Sequence, residues 1–431
     1  MFFRTVPKKH TDMYELIATA TFGLEAVVRR EIEKLGYKVT RTEDGKVTFS
    51  GDVRAIVRAN LWLRAADRVL IKMAEFQASE SEELFQQVKG IAWEELIPPD
   101  GKFTVNCSTV RSKLRSEPNN QKTVKKAIVE RLSSEYGIER FPETGAEYTV
   151  KITLLKDRAT ITVDTTGEGL HKRGYRVAPG AAPLKETLAA ALIELTFWNE
   201  NRNLIDPCCG SGTIPIEAAL IGRNIAPGMN RRFACEKWDL IPESIWDEEH
   251  ARAEKEMKPD LRMDIRGFDI DPKAVAAAKK NAEAAGVADT IFFDVSDIKD
   301  TLSVVGKREK HVMPVHIIGA NGAEIAAGGV KAGKTAGAGV QDELPDNGII
   351  ISNPVYGERI GDQKQADYVF AAIHDFMAAR PDWSVFLITP DKKTEEKTAG
   401  RRADRRRKLY NGNIEVCYYQ FHGEKRGKDR P

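Results

Sequence analysis

Asp206-Pro207-Cys208-Cys209-Gly210-Ser211-Gly212-Thr213 follows the short apolar run Asn203-Leu204-Ile205 and precedes Ile214-Pro215-Ile216-Glu217-Ala218-Ala219-Leu220, which reads as a helix. Strand, acid, glycine-rich turn, helix is the order that builds a nucleotide-type cofactor site. Glycines let the backbone turn sharply and approach a ligand, and the helix N-terminus offers unpaired N–H groups. A dinucleotide site would want a third glycine where Pro215 stands and an acid about 20 residues on. The next strand-end acid instead lies far downstream, in Gly267-Phe268-Asp269-Ile270-Asp271. A P-loop would need lysine before Thr213, and Gly212 is there. A lone G-x-G also fits an ordinary strand–helix turn, so the reading depends on the residues around it.

With 431 residues the chain exceeds one compact core, and two or three domains are expected. Hydrophobic residues make up 42% and charged residues 30%, the profile of an ordinary soluble protein. No apolar run reaches the roughly 18 residues of a membrane span. Lys8, Lys9 and His10 are not followed by an apolar stretch, so no signal peptide is expected. The five cysteines, at 107, 208, 209, 235 and 417, form no C-x-x-C pair, and adjacent Cys208 and Cys209 suit a disulfide poorly. A reduced cytoplasm fits best. With 66 basic against 64 acidic residues, any phosphate-binding surface must come from local clustering.

Hydrophobic periodicity divides the chain into α/β units. Residues 13–20 read as a strand, 24–36 as an amphipathic helix ending at Gly36, 47–49 as a strand, 52–61 as a helix and 68–76 as a strand. A helix through 84–88, a strand at 102–108, a helix at 121–136 and strands at 147–155 and 160–164 follow, an α+β pattern. Arg111, Lys113, Arg115 and then Lys122, Lys125 and Lys126 are either a solvated loop and helix face or a phosphate-contacting patch for RNA. The third region opens with Gly169-Leu170-His171-Lys172-Arg173-Gly174-Tyr175-Arg176 and the helix Ala182–Leu192.

The order LHKRGYR (170–176), APLKETLAAAL (182–192), DPCCGSGT (206–213) and NPVYGER (353–359) resembles the THUMP-domain RNA guanine-N2 methyltransferases, in particular the bacterial 23S rRNA branch that includes the N-terminal half of RlmL. The resemblance covers nearly the whole chain. It implies an α/β protein: a ferredoxin-like piece at 1–70, a THUMP RNA-binding domain at 71–165, a Rossmann-like class I methyltransferase at 166–422 and a basic tail at 423–431. It implies S-adenosylmethionine (AdoMet) as cofactor, with Asp206 facing its methionine moiety, Gly210 and Gly212 passing close to it, and Leu184, Cys208, Ser211, Thr213, Ile270 and Asn353 also in contact with it. Asp269 would hold the ribose hydroxyls and Asp294 the adenine amino group, with Asp297 a weaker candidate that could simply cap the next turn. The family carries an insertion at 223–262, expected here as a helical lid packed by Trp238 and Trp246.

The implied reacting group is Asn353-Pro354-Val355-Tyr356, delivered by the strand Gly348–Ser352. An exocyclic amine is a poor nucleophile because its lone pair is delocalised into the ring. Accepting its two N–H groups on the Asn353 side-chain oxygen and the Pro354 carbonyl would align that lone pair with the AdoMet methyl. Tyr356 would stack on the extruded base. Two features depart from the family. Val355 stands where the motif has a second proline, which relaxes the backbone and predicts weaker preorganisation. The glycine- and alanine-rich stretch 306–346 is expected to be a flexible insertion or loose flap. His311 and His316 lie within it at a spacing that fits no zinc pattern, and no metal is expected.

Near the C-terminus, Arg401, Arg402, Arg405, Arg406, Arg407 and Lys408 precede an Asn-containing turn at 409–413, with strands expected at 383–389 and 414–421. The cluster is either a solvated face or a phosphate clamp, with Arg405 and Arg406 as RNA contacts alongside Arg173. The reading is thus an RNA guanine-N2 methyltransferase acting on 23S rRNA. A tRNA guanine-N2 enzyme, an N6-adenine methyltransferase, or a non-catalytic RNA-binding or ribosome-assembly protein with a degenerate site are the alternatives.

Overall fold

A computed structural model describes residues 13–178, 184–306, 317–318, 324–325, 348–354 and 362–424. Val355, Tyr356, His311, His316, most of the 306–346 stretch and the tail beyond 424 lie outside them. Among the described residues no helix is long and apolar enough to cross a membrane.

The N-terminal half is one seven-stranded sheet. Its strands are β1 (Tyr14–Ala20), β2 (Lys38–Glu43), β3 (Lys46–Gly51), β4 (Ala66–Gln77), β5 (Lys102–Val110), β6 (Glu147–Leu155) and β7 (Arg158–Asp164), in the order β2-β3-β1-β4-β7-β6-β5. Helices α1 (Glu25–Lys34), α2 (Val53–Trp62), α3 (Ser81–Lys89) and α4 (Glu117–Tyr136) accompany them. The 12-residue β4 is the joint: it pairs with β1 through Ala66–Ile71 and with β7 through Leu70–Gln77. The expected boundary at 70/71 therefore falls within a strand, and two units share a continuous hydrogen-bonded sheet.

The C-terminal half contains α5 (Glu186–Leu195), β8 (Asn203–Asp206), α6 (Thr213–Gly222), α7 (Glu243–Glu256), β9 (Ile265–Asp269), α8 (Pro272–Ala284), β10 (Ile291–Val295) and α9 (Ile298–Gly306). A two-stranded ribbon follows, β11 (Ile317–Ile318) with β12 (Glu324–Ile325), then β13 (Gly348–Ser352), α10 (Asp362–Ala379), β14 (Ser384–Thr389), α11 (Thr394–Thr398), β15 (Arg405–Asn411) and β16 (Ile414–Phe421). The main sheet runs β10-β9-β8-β13-β14-β16-β15, parallel from β10 to β14 and antiparallel across β16 and β15. Every residue of β8, β13 and β14 is buried, as expected of parallel strands covered on both faces. Helix α6 is apolar all round and correspondingly buried, with Pro215 tolerated in its first turn.

The sequence reading does not foresee β2, β11, β12 or β15. The arginine run is itself β15, joined to β16 by a two-residue turn with Asn411 opposite Ile414. Charge conceals this strand because it forms the sheet edge, where arginine and lysine block pairing with another chain.

The 223–262 insertion works as a bracket more than as a lid. Trp238 stacks on Tyr148 of β6 with centroids 4.7 Å apart, and its Nε1 donates to the Glu147 carbonyl at 3.0 Å. Helix α7 docks on α2, where Glu249, 1% exposed at its side chain, accepts from Arg58 at 2.7 and 2.8 Å and from Arg54 at 2.9 Å. Trp246 packs on Phe233 inside the same segment. One apolar core consequently runs from the N-terminal sheet through the insertion to α5, α6 and α8, while α9 and α10 cover the other face of the C-terminal sheet.

Candidate active site

Between neighbouring β8 and β13 the strand order reverses: β8 crosses over to β9 on one side and β13 to β14 on the other, which opens a crevice at the carboxyl ends of these strands. Asp206 ends β8, Asp269 ends β9, Asp294 lies near the end of β10, and Asn353 follows β13. Strand order thus gathers four residues that are up to 147 positions apart in sequence.

The glycine-rich turn is fixed from several sides. Gly210 N–H donates to Asp269 Oδ2 at 2.9 Å, tying the turn to the neighbouring strand end. Gly210 and Gly212 have φ of +54° and +82°, where a side chain is strained. They differ in what a Cβ would meet. At Gly212 it would stand 2.9 Å from Ala278 Cβ and 3.0 Å from Phe293, whereas at Gly210 it would meet nothing within 4 Å. Gly212 is therefore needed for packing, and Gly210 faces open space.

Asp206 is buried and accepts from Ser352 Oγ at 2.7 Å and from the Cys208 N–H at 3.2 Å. Burial pushes its carboxyl from an ordinary 3.8 up to about 7, against the two hydrogen bonds and aided by the charge of Asp269. Burial, with both aspartates nearby, likewise pushes the Cys208 thiol up, so it is no nucleophile at neutral pH. Asn353 Oδ1 is buried and has no hydrogen-bond partner among the described residues. Such a group costs about 1–3 kcal/mol unless a ligand completes it. Pro354 is buried beside it.

The other expected contacts sort themselves by exposure. Ile270 is 58% exposed next to Asp269, an apolar surface at the crevice rim. Asp294 is exposed, its Oδ1 accepting only the Val295 N–H among the described residues. Asp297 accepts from Lys299 N–H and Tyr368 Oη and begins α9, a capping role. Leu184, Ser211 and Thr213 are all buried.

Arg176 is the residue missed here. Its guanidinium donates to Glu186 Oε1 at 2.9 Å, Ser211 Oγ at 3.1 Å, and the Leu184 carbonyl and Thr213 Oγ1 at 3.2 Å. It binds the linker to the turn and to the start of α5. Asn281 adds a second clamp, donating to the Ser211 carbonyl while accepting from the N–H groups of Val177 and Ala178.

Arg173, expected to touch RNA, is corrected. It is 4% exposed, donating to the carbonyls of Leu170 at 2.7 Å and Arg64 at 2.5 Å and facing Glu217 at 3.5 Å. Burial raises the Glu217 carboxyl while Arg173 pulls it back, so the two are a buried pair within the C-terminal half, and Arg173 ties that pair to the Arg64 carbonyl of the N-terminal half. Glu217 alone in an apolar helix was the available signal that a cation would be buried opposite it. Arg111, Lys113 and Arg115 do converge, around a hollow of about 470 Å³ that also takes in Asp157. Lys122 lies apart from it on the exposed face of α4. Arg405 is exposed on β15, and Arg406 pairs with Glu395 at 3.4 Å.

Comparison with known families matches residues 173–310 and 326–420 to the RMKL-like methyltransferase domain, 15–70 to the RlmL ferredoxin-like domain and 78–164 to the THUMP domain. YpsC of Bacillus subtilis (strain 168), whose name carries RNA methyltransferase as a provisional assignment, is 43% identical over 95% of this chain and 96% of its own. A Listeria monocytogenes protein described as a "predicted N6-adenine-specific DNA methylase" is 41% identical, with TM-score 0.81 over 96% of this chain and 97% of that one. SMU.472, provisionally a methyltransferase and crystallised with SAH, is 39% identical, with TM-score 0.81 over 96% and 99%. Ferredoxin-like piece, THUMP domain and class I catalytic fold occur together along one chain, which belongs to the THUMP-containing RMKL-like methyltransferase family.

Proposed function

We propose that this protein is an AdoMet-dependent RNA methyltransferase that modifies the exocyclic N2 of a guanine in 23S rRNA. The observation that carries the reading is the buried Asn353 Oδ1, without a partner among the described residues, one residue beyond the Ser352–Asp206 hydrogen bond. An acceptor held desolvated at the carboxyl end of a central strand suits an amine N–H donor.

The crevice fits AdoMet on its own terms. Gly210 leaves space, Asp206 offers a buried carboxylate for an ammonium, and Asp269, already ordered by Gly210 and Asp271 N–H groups, offers acceptors for ribose hydroxyls. Ile270 supplies an exposed apolar surface for a purine. When bound, AdoMet supplies a methyl group made electrophilic by its sulfonium. Asn353 Oδ1 and the Pro354 carbonyl would accept the two amine N–H groups, favouring a pyramidal nitrogen whose lone pair is withdrawn from ring conjugation and directed at the methyl. Positioning of this type contributes several kcal/mol. Buried strands set the Asn353 backbone, so the geometry costs little at the moment of reaction. The RNA substrate is supported by the THUMP domain and by the basic hollow around Arg111, Lys113 and Arg115. The choice of guanine and of 23S rRNA rests on the motif order in 170–359.

Tritium transfer from labelled AdoMet to unmethylated 23S rRNA and to bulk tRNA, followed by nucleoside analysis, tests this. Label in N2-methylguanosine from 23S rRNA is expected, and Asn353→Ala should lose at least about 100-fold in rate while binding SAH normally. Label in N6-methyladenosine, or full activity of Asn353→Ala, would refute the assignment.

A further inference from the structure

A second basic site adjoins the crevice, sharing Arg176 and Leu184 with its wall. A cavity of about 640 Å³ opens between the linker 168–176, the start of α5 and the insertion loop 230–232. We propose that this cleft binds the phosphodiester backbone of the substrate RNA, a site that rests on the RNA reading above and adds a second contact to the THUMP hollow.

The argument is one of uncompensated charge. Arg231 donates to the carbonyls of Glu168, Gly169 at 2.8 Å and Lys172 at 3.1 Å, and lies over the Phe233 ring at 5.0 Å. Carbonyls orient a guanidinium without neutralising it, so the wall keeps a fixed positive charge. Burial and then the charge of nearby Arg173 push Arg231 down to about 10, still cationic at neutral pH. Lys172 is exposed and Lys185 half-buried, and neither has an ion-pair partner among the described residues. Arg232 has a 93% exposed side chain and shares Glu236 only at 3.2 Å. Of the acids on the cleft, Glu186 is taken up by Arg176, which leaves Glu168 against several cations.

A roomy cleft lined by several cations suits a phosphate chain better than a small apolar ligand. Its position suits RNA as well. Arg176 forms the wall shared with the glycine-rich turn, through Ser211 and Thr213. A phosphodiester held by Lys172, Lys185 and Arg232 would sit one side chain from that turn. The insertion that brackets the N-terminal sheet supplies Arg232, so the cleft lies where the RNA-binding half meets the catalytic half.

The test uses the full chain with the paired substitution Lys172→Gln and Arg232→Gln, neither residue belonging to the crevice. Filter binding to unmodified 23S rRNA transcript is measured across a KCl series, with SAH affinity and thermal stability in parallel. RNA affinity should fall roughly tenfold, and the slope of log affinity against log salt should become shallower by about 1 per removed cation. SAH affinity should hold, and the charge-conserving pair Lys172→Arg and Arg232→Lys should restore RNA binding. Unchanged RNA affinity and slope overturn the proposal. A parallel loss of SAH affinity also overturns it, by assigning the cleft to the cofactor. Wild-type protein that binds RNA without methylating it removes the methyl-transfer reading and leaves this test intact.

Discussion

Asp206 should make the ligand-free protein less stable than it could be. Its carboxyl is raised from 3.8 to about 7 chiefly by burial, so at pH 8 the folded chain holds a buried carboxylate that the unfolded chain would hydrate. A gap of about 3 pH units corresponds to about 4 kcal/mol. The sign follows from proton counts. Between about pH 4 and 7 the folded state binds the proton and the unfolded state does not, so stability is full below pH 4 and falls as pH rises through 7. Asp206→Asn removes the titration at nearly constant shape, and its amide oxygen can still accept from Ser352 and Cys208. The substitution should leave stability unchanged near pH 4 and raise it by about 2–4 kcal/mol at pH 8, or about 5–10 °C in Tm for a domain of this size. The same change should weaken SAH, whose ammonium needs the carboxylate, by roughly 10- to 100-fold at pH 8. Wild-type affinity should itself fall about tenfold from pH 8 to pH 6 as Asp206 protonates, with no such fall in the variant. Calorimetry across pH and titration with SAH read both halves. A variant with wild-type or lower Tm at pH 8, or wild-type SAH affinity flat from pH 8 to pH 6, would refute the reasoning.

Three further substitutions probe local contacts. Gly212→Ala forces a Cβ against Ala278 and Phe293 at a left-handed φ, and should cost about 3 kcal/mol of stability in thermal unfolding. Gly210→Ala meets open space and should cost only about 1 kcal/mol, yet lose SAH affinity at least tenfold because its methyl enters the cradle; equal stability losses in the two would show the contrast to be wrong. Glu249→Gln leaves Arg54 and Arg58 without their shared carboxylate at the α2–α7 contact, and should cost about 3 kcal/mol. A urea midpoint unchanged by Glu249→Gln would mean the bracket is held by Trp238 and the apolar contacts alone.

The crevice was legible because its residues sit at strand ends, where short apolar runs such as Gly348–Ser352 stop at a polar group and a parallel sheet forces those stops to one edge. Asp206, Asp269, Asp294 and Asn353 followed from that rule together with the resemblance. What sequence could not sort was cation from cation. In LHKRGYR, Arg173 and Arg176 look alike, yet one is sealed against Glu217 and the other holds the glycine turn. Their fates depend on partners 44 and 35 residues away, which no local pattern reveals. The joining of two N-terminal units through β4 was hidden for the same reason: pairing between β4 and β7 is a long-range fact, while each strand alone has only its own alternation.

The placing of the insertion has a consequence for how the two halves cooperate. A catalytic domain that methylates a base must meet that base at a fixed offset from wherever the RNA is gripped. Here Trp238 reaches β6 of the RNA-binding half and Glu249 reaches α2, within one segment that also carries Arg231 and Arg232 to the cleft. The linker reinforces this, since Thr165 donates to the Val69 carbonyl and Thr166 to Asn60 in the buried seam. With buried polar contacts on both sides of the joint, relative motion would have to break several of them at once, each worth about 1 kcal/mol or more. The offset between the proposed grip and the crevice is therefore set by folding, and under the proposed RNA methylation selection of one nucleotide would be a matter of length along the RNA as well as of the pocket that receives the base.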